Sequence, residues 1–139
     1  MANNWQPLKK ELEDHAEKNH VPIIRGPERE LLLRSAALAE PRRILEIGTA
    51  IGYSALLMAE RFPKAEIDTV ELDEERHHRA KEVMERAGLS GRVHCHLGDA
   101  GEVIPTLSGP YEFLFLDVPK GQYLRELRAV EPLLSDRAV

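Results

Sequence analysis

Residues 43–54 read Arg43-Ile44-Leu45-Glu46-Ile47-Gly48-Thr49-Ala50-Ile51-Gly52-Tyr53-Ser54. Arg43 to Ile47 has the length and apolar character of a short strand, and Tyr53 to Arg61 reads as a helix stopped by Phe62-Pro63. Gly48 lets the chain turn sharply and pass close to a ligand. Gly52 opens the helix, whose first amides favour negative groups. A dinucleotide-binding turn wants glycines at 48, 50 and 53, where this chain has Ala50 and Tyr53 at the latter two, and the Gly-Lys-Ser/Thr of a phosphate loop is absent. Glu46 would repel a phosphate-rich ligand and suits a cationic or hydroxyl-bearing one. Alone, the stretch is equally compatible with a plain strand-to-helix turn.

Outward from this stretch the chain alternates. C-terminal to it, Glu66 to Leu72 reads as a strand. Asp73 to Ala87 reads as a helix, with Asp73 as N-cap, Ala80, Val83, Met84 and Ala87 inward, and Gly88 as the stop. Arg92 to Leu97 is a strand, Ala100 to Leu107 a short helix ended by Ser108-Gly109-Pro110, and Gln122 to Leu134 a helix. Between the last two, Phe113 to Leu116 is an unbroken apolar strand, expected to be covered on both faces. N-terminal to the stretch, Trp5 to Asn19 forms a helix on Leu8, Leu12 and Ala16, and Val21 to Ile24 is extended. A second helix runs from Pro27 to Ala39 with Leu31, Leu32, Ser35, Leu38 and Ala39 on one side. Strands alternating with helices at this spacing predict right-handed βαβ units, a parallel sheet and an α/β class. Residues 1–139 form one domain in this reading, helices 1–40 preceding a sheet-forming core 41–139.

The bulk numbers agree. The 139 residues are 42% hydrophobic and 31% charged, which suits one folded domain. No apolar run approaches the ~20 residues of a membrane helix. Cys95 is the only cysteine, so no disulfide can form within the chain. With no apolar signal core at the N-terminus, this points to a cytoplasmic protein. A net charge of −5 without a long basic run does not advertise a broad nucleic-acid-binding face.

In parallel α/β sheets ligands bind beyond the carboxyl ends of the strands. After the second strand stands Glu71, placed to accept from both hydroxyls of a ribose or else simply solvated. After the third stand Gly98-Asp99-Ala100, where an acid can meet an adenine amino group, cap the next helix, or do both. After the fourth stand Asp117 and, in Val118-Pro119-Lys120-Gly121-Gln122-Tyr123, a lysine; this is an acid–base site, a metal site or a surface ion pair. His77-His78 reads as part of a solvated helix face. His94-Cys95-His96 is not a metal site on a strand, because Cys95 points away from both histidines.

These stretches resemble the metal-dependent O-methyltransferases of the catechol and caffeoyl-CoA type. The likeness rests on Leu45 to Ala55, Val70-Glu71-Leu72-Asp73, Gly98-Asp99-Ala100 and Phe115 to Tyr123, and extends from about Val21 to the last residue. Val21-Pro22-Ile23-Ile24 and Lys120-Gly121-Gln122-Tyr123 look most like the bacterial branch that methylates 5-hydroxyuridine at the tRNA wobble position. The resemblance implies a Rossmann-like class I methyltransferase sheet and S-adenosylmethionine as cofactor. By it, Glu46, Gly48, Thr49, Ala50 and Ser54 would line the methionine end, and Glu71 would hold the ribose. Gly98, Asp99 and Ala100 would sit near adenine, with Ile23 and Ile24 on a flap above. Asp117 would border the cofactor and be the first of three ligands to a magnesium-like ion, and Lys120 would take the proton from the acceptor hydroxyl. The favoured acceptor would be tRNA 5-hydroxyuridine, with a small catechol-like phenol as the alternative.

The family's other two metal ligands are an adjacent Asp-Asn after a fifth strand, whereas Ala138-Val139 looks like only the first step of that strand. The expectation is therefore a chain truncated before strand five, with cofactor binding partly kept and methyl transfer weak or absent. Phe113 to Leu116 would become an apolar open edge that invites a homodimer.

Overall fold

The computed structural model describes residues 5–24, 26–117 and 123–139. Strand β1 (Arg43–Ile47) is flanked by β2 (Glu66–Glu71) and β4 (Phe113–Leu116), and β3 (Val93–Leu97) pairs outside β2. All pairings are parallel, in the order β3-β2-β1-β4. Ile47 is in register with Val70 and with Leu116, and Glu71 with Leu97. One end of the sheet therefore gathers Gly48, Glu71, Gly98 and Asp117, the residues at or just past the strand ends. The order reverses between β1 and β4, the place where such sheets open a crevice.

Helices cover both faces. On one side, α1 (Gln6–Asn19), α2 (Pro27–Leu38), α3 (Tyr53–Arg61) and α4 (Glu74–Arg86) pack on Ile44, Ile67, Val93 and Phe113. On the other, α5 (Ala100–Val103) with a 3-10 turn over Ile104–Thr106, and α6 (Tyr123–Val130) with another over Glu131–Leu133, cover Leu45, Ile47 and Val70. Each fully buried aliphatic side chain contributes about 1.5–3 kcal/mol. Asp73 caps α4 by accepting from the Arg76 amide at 2.9 Å, as its position before the helix predicts.

Several expectations needed correction. The inward side of α2 is Leu32 and Ala36, while Leu31 and Leu38 are exposed, because the helix meets the body along a narrow stripe. His78 is solvated and pairs with Glu74, but His77 is buried, since it lies on the α4 stripe continued by Ala80 and Met84. Its Nδ1 has no partner among the described residues, and burial first, then His78 and Lys81, lowers its pKa. The helix read from Ala100 to Leu107 tightens into the 3-10 turn at Pro105, and the one read to Leu134 does so at Pro132. β4 is an edge strand whose two faces are both packed, Phe113 and Phe115 on one side and Leu114 and Leu116 on the other, with Leu114 to Leu116 left half-buried at the open edge. Its outer side is met by Val139, whose carbonyl accepts from the Leu114 amide at 2.9 Å and whose amide donates to Glu112 at 2.8 Å.

The faces of β3 fall as alternation predicts. Cys95 packs toward the α1–α4 side, where burial first, with Glu46 adding, pushes its thiol up to about 11. His96 turns to the other side and meets Asp68 at 2.8 Å. Tyr111 also donates to Asp68, at 2.6 Å. Burial alone would raise the Asp68 carboxyl, but these bonds outweigh it and hold it below its ordinary value.

Candidate functional site

At the carboxyl end of the sheet lies an open cavity of about 320 Å³, lined among others by Gly48, Ala50, Glu71, Gly98, Asp99 and Asp117. That volume is at the small end of ligand pockets. A small adjoining cavity shares Ala50 and Asp117 with it and is lined by Thr49, Ser54, Ile23 and Ile24. Eleven of the residues expected near a ligand thus border one of two neighbouring hollows.

The bend after β1 explains the opening. Gly48 has φ +101°, and a Cβ there would lie 2.2 Å from the Asp117 carbonyl oxygen. Only glycine lets the ends of β1 and β4 approach this closely without strain. The Gly48 amide bonds the Val70 carbonyl at 2.8 Å, which ties the bend to β2. Gly52 (φ +90°) then opens α3 against Ala80 and Met84.

Glu71 is held from two sides. One carboxylate oxygen accepts from the Ala50 amide at 2.7 Å and the other from the Asp73 amide at 2.8 Å. These bonds fix the side chain across the gap between the tips of β1 and β2. A carboxylate oxygen has lone pairs to spare after one such bond, so a ligand hydroxyl can still be accepted.

Glu46 requires a correction. It shares a sheet face with Glu71, since Glu46 is in register with Thr69 and Glu71 lies two residues further along β2. Yet Glu46 is fully buried and lines neither cavity. Its carboxyl accepts from Thr69 at 2.7 Å and from Ser54 through a second, short bond. Thr69 in turn meets Thr49 at 2.5 Å. Glu46 thus braces the floor beneath the bend and does not face a ligand in this conformation. Burial dominates and pushes its carboxyl up to about 7, against the hydrogen bonds from Ser54 and Thr69 and with help from Asp117 and Glu71.

Asp99 caps α5 by accepting from the Gly101 amide at 2.9 Å, and it also lines the cavity. The Asp117 carboxyl is raised, first by partial withdrawal from water and then by Glu28 and Glu71. Among the described residues no three His, Cys, Asp or Glu side chains are grouped to hold a metal ion. Asp117 by itself does not make a magnesium site. Lys120 lies outside the described residues.

The extended Pro22–Ile24 segment lies over the join of the two hollows. Its neighbours are pinned at Tyr53, whose phenol donates to Glu13 of α1 in a short bond and accepts from Arg29 of α2 at 2.7 Å. Leu72, Arg76 and Glu126 also line the main cavity and were not anticipated. Leu72 directly follows Glu71, and Arg76 follows one turn into α4, so both were within reach of the same reasoning. Glu126 carried a weaker signal: it stands four residues before Val130, hence on one helix face with a core residue.

Comparison with known proteins agrees with this layout. Residues 3–135 match the O-methyltransferase family model. The O-methyltransferase hkm8 of Aspergillus hancockii is 35% identical over 96% of this chain and 57% of its own length. A catechol O-methyltransferase of Niastella koreensis is 36% identical over 63% of this chain and 42% of its own. The chain spans 60% or less of the length of the first curated relatives it matches. Among solved structures, the O-methyltransferase TomG of Streptomyces achromogenes, in complex with SAM, superposes with a TM-score of 0.80 at 28% identity, covering 97% of this chain and 63% of TomG. The SAH-bound methyltransferase PaMTH1 of Podospora anserina gives a TM-score of 0.74 at 26% identity, covering 99% of this chain and 70% of that one.

Proposed function

The chain belongs to the O-methyltransferase family, and we propose that its cavity binds S-adenosylmethionine for methyl transfer to a hydroxyl of a small catechol-like acceptor. The observation that carries this reading is Glu71, braced by two backbone amides at the edge of a cavity whose other acids are Asp99, Asp117 and Glu126. Among the described residues the lining holds four acids and one arginine, Arg76, and Arg125 pairs with two of those acids from outside it; the acidic excess attracts a cation and disfavours a pyrophosphate. A sulfonium nucleoside matches that field and a nicotinamide dinucleotide does not. The residues present therefore fit the cofactor.

Bound there, S-adenosylmethionine supplies a methyl group on sulfur that an oxygen nucleophile can accept. In this reading Glu71 accepts from the ribose hydroxyls, and Gly48 and Ala50 border the methionine arm. Gly98 and Ala100 leave room for the adenine ring, Asp99 stands at its edge, and Ile23 and Ile24 cover the reacting end. Thr49 and Ser54 keep the bend in place through Glu46. The chain's main contribution is to hold the acceptor oxygen in line with the methyl group. The described residues do not by themselves assemble a metal site. Asp117 as a ligand and Lys120 as a base are the finer parts of the proposal, and other donors would have to complete the ion's shell.

The tRNA acceptor rests on the likeness at Val21–Ile24 and Lys120–Tyr123. The acidic cavity mouth and the net charge of −5 favour a small phenol over a polyanion. The test is calorimetric titration with S-adenosylhomocysteine and with NADH, followed by methylation assays on a catechol and on unmethylated tRNA. Binding of S-adenosylhomocysteine but not NADH is the expected result, with whatever weak turnover this chain supports confined to the catechol. NADH binding would overturn the cofactor reading, and tRNA turnover the choice of acceptor.

A further inference from the structure

Glu126 is an acid where a helix of this kind needs an apolar contact. It projects from α6 into the wall of the main cavity and is 1% exposed. One of its oxygens, Oε1, accepts from the Arg125 guanidinium at 2.9 Å. The other, Oε2, is buried with no hydrogen-bond partner among the described residues. A buried carboxylate oxygen without a donor costs folding free energy, and such an atom in a cavity wall marks a place for a ligand donor.

Its neighbours say which part of a ligand. Arg125 also reaches Asp99 Oδ1 at 3.4 Å, so one guanidinium ties Glu126 to the residue that caps α5. Gly98, Asp99 and Ala100 line the same cavity. This is the end away from the Ile23–Ile24 cover and, on the cofactor reading above, the purine end.

Resting on that reading, we propose that Glu126 Oε2 accepts a hydrogen bond from the exocyclic amino group of the cofactor's adenine and so selects an amino-purine over an oxo-purine. An amino group donates into the orphan oxygen. A purine carbonyl at the same position sets two acceptors against each other in a dry wall. The Arg125 bond occupies Oε1 and leaves Oε2 without a partner in the cavity wall, where the ring's amino group would have to seat against it.

The experiment compares S-adenosylhomocysteine with its deaminated analogue, S-inosylhomocysteine, by calorimetry on the intact chain and on Glu126→Gln and Glu126→Ala. Loss of a charge-assisted hydrogen bond corresponds to about tenfold or more in affinity. The wild type should therefore prefer the adenine compound by at least that factor. Glu126→Gln, whose amide can offer a donor, should bring the two affinities together, and Glu126→Ala should weaken the adenine compound most. Asp99→Asn, measured alongside, tests the other acid at the purine end as the acceptor of that amino group. A wild type that binds both compounds equally overturns the proposal without any variant being needed. So does a preference that survives both Glu126 substitutions, or one that vanishes only with Asp99→Asn. A wild type that binds neither compound overturns the cofactor reading itself, and this inference with it.

Discussion

At the scale of single residues, two glutamates on one sheet face do different work. Glu71 stands at the cavity with each oxygen bonded to an amide. Replacing it by Gln sets an NH₂ against one of those N–H groups and removes the charge. Affinity for S-adenosylhomocysteine should fall about tenfold or more, and stability by about 1–3 kcal/mol. Calorimetry and urea unfolding read the two separately. Glu46 is buried below, with its carboxyl pushed up to about 7 from an unfolded value of 4.5. Because the folded form holds the proton more tightly, Glu46 ionisation opposes folding. Its cost begins as pH rises above about 4.5 and is complete above about 7. The wild type should lose stability across that window more steeply than Glu46→Gln, by a few kcal/mol at most. Parallel pH–stability curves would contradict this. The sequence made both acids visible as strand-end residues but not which one is covered. That depends on Ser54 and Thr69 closing over Glu46, a contact no single stretch of chain reveals.

At the scale of elements, the site is the consequence of one bend. Gly48 at φ +101° brings the end of β1 against the Asp117 carbonyl. Gly48→Ala must either strain the backbone or part the strand ends. It should cost about 1–3 kcal/mol or more and should weaken S-adenosylhomocysteine binding as well. Wild-type stability and affinity in this variant would show that the close approach is unimportant. Strands β1 and β4 were legible to the residue because each is an apolar run with a clear stop. So was α3, but the inward faces of α2 and α6 were not. α2 carries leucines all round, so periodicity could not choose Leu32 and Ala36 over Leu31 and Leu38. In α6 the inward positions are Glu126 and Val130, while Leu124 and Leu127 are exposed, the reverse of what apolar patterning suggests.

At the scale of the whole molecule, the parallel order β3-β2-β1-β4 puts the described candidate site residues at one end of the sheet and leaves β4 at its edge. Pairing of Val139 with Glu112 and Leu114 covers part of that edge. Association of two copies through the rest of it is the expected outcome, read as twice the monomer mass by light scattering at high protein concentration. A monomeric mass there would contradict it. No helix among the described residues is long and apolar enough to cross a membrane. The α/β class and the end of the sheet at which the cavity opens followed from alternation and strand-end residues. Metal ligation and acceptor choice did not, because neither is written into the residues that form the bend.

The most direct measurement is a crystal structure of the chain with S-adenosylhomocysteine. The account predicts the ribose hydroxyls on Glu71, the sulfur end beside Gly48 and Ala50, and the purine at Ala100. A nucleoside bound elsewhere, or with its ribose turned away from Glu71, would contradict it.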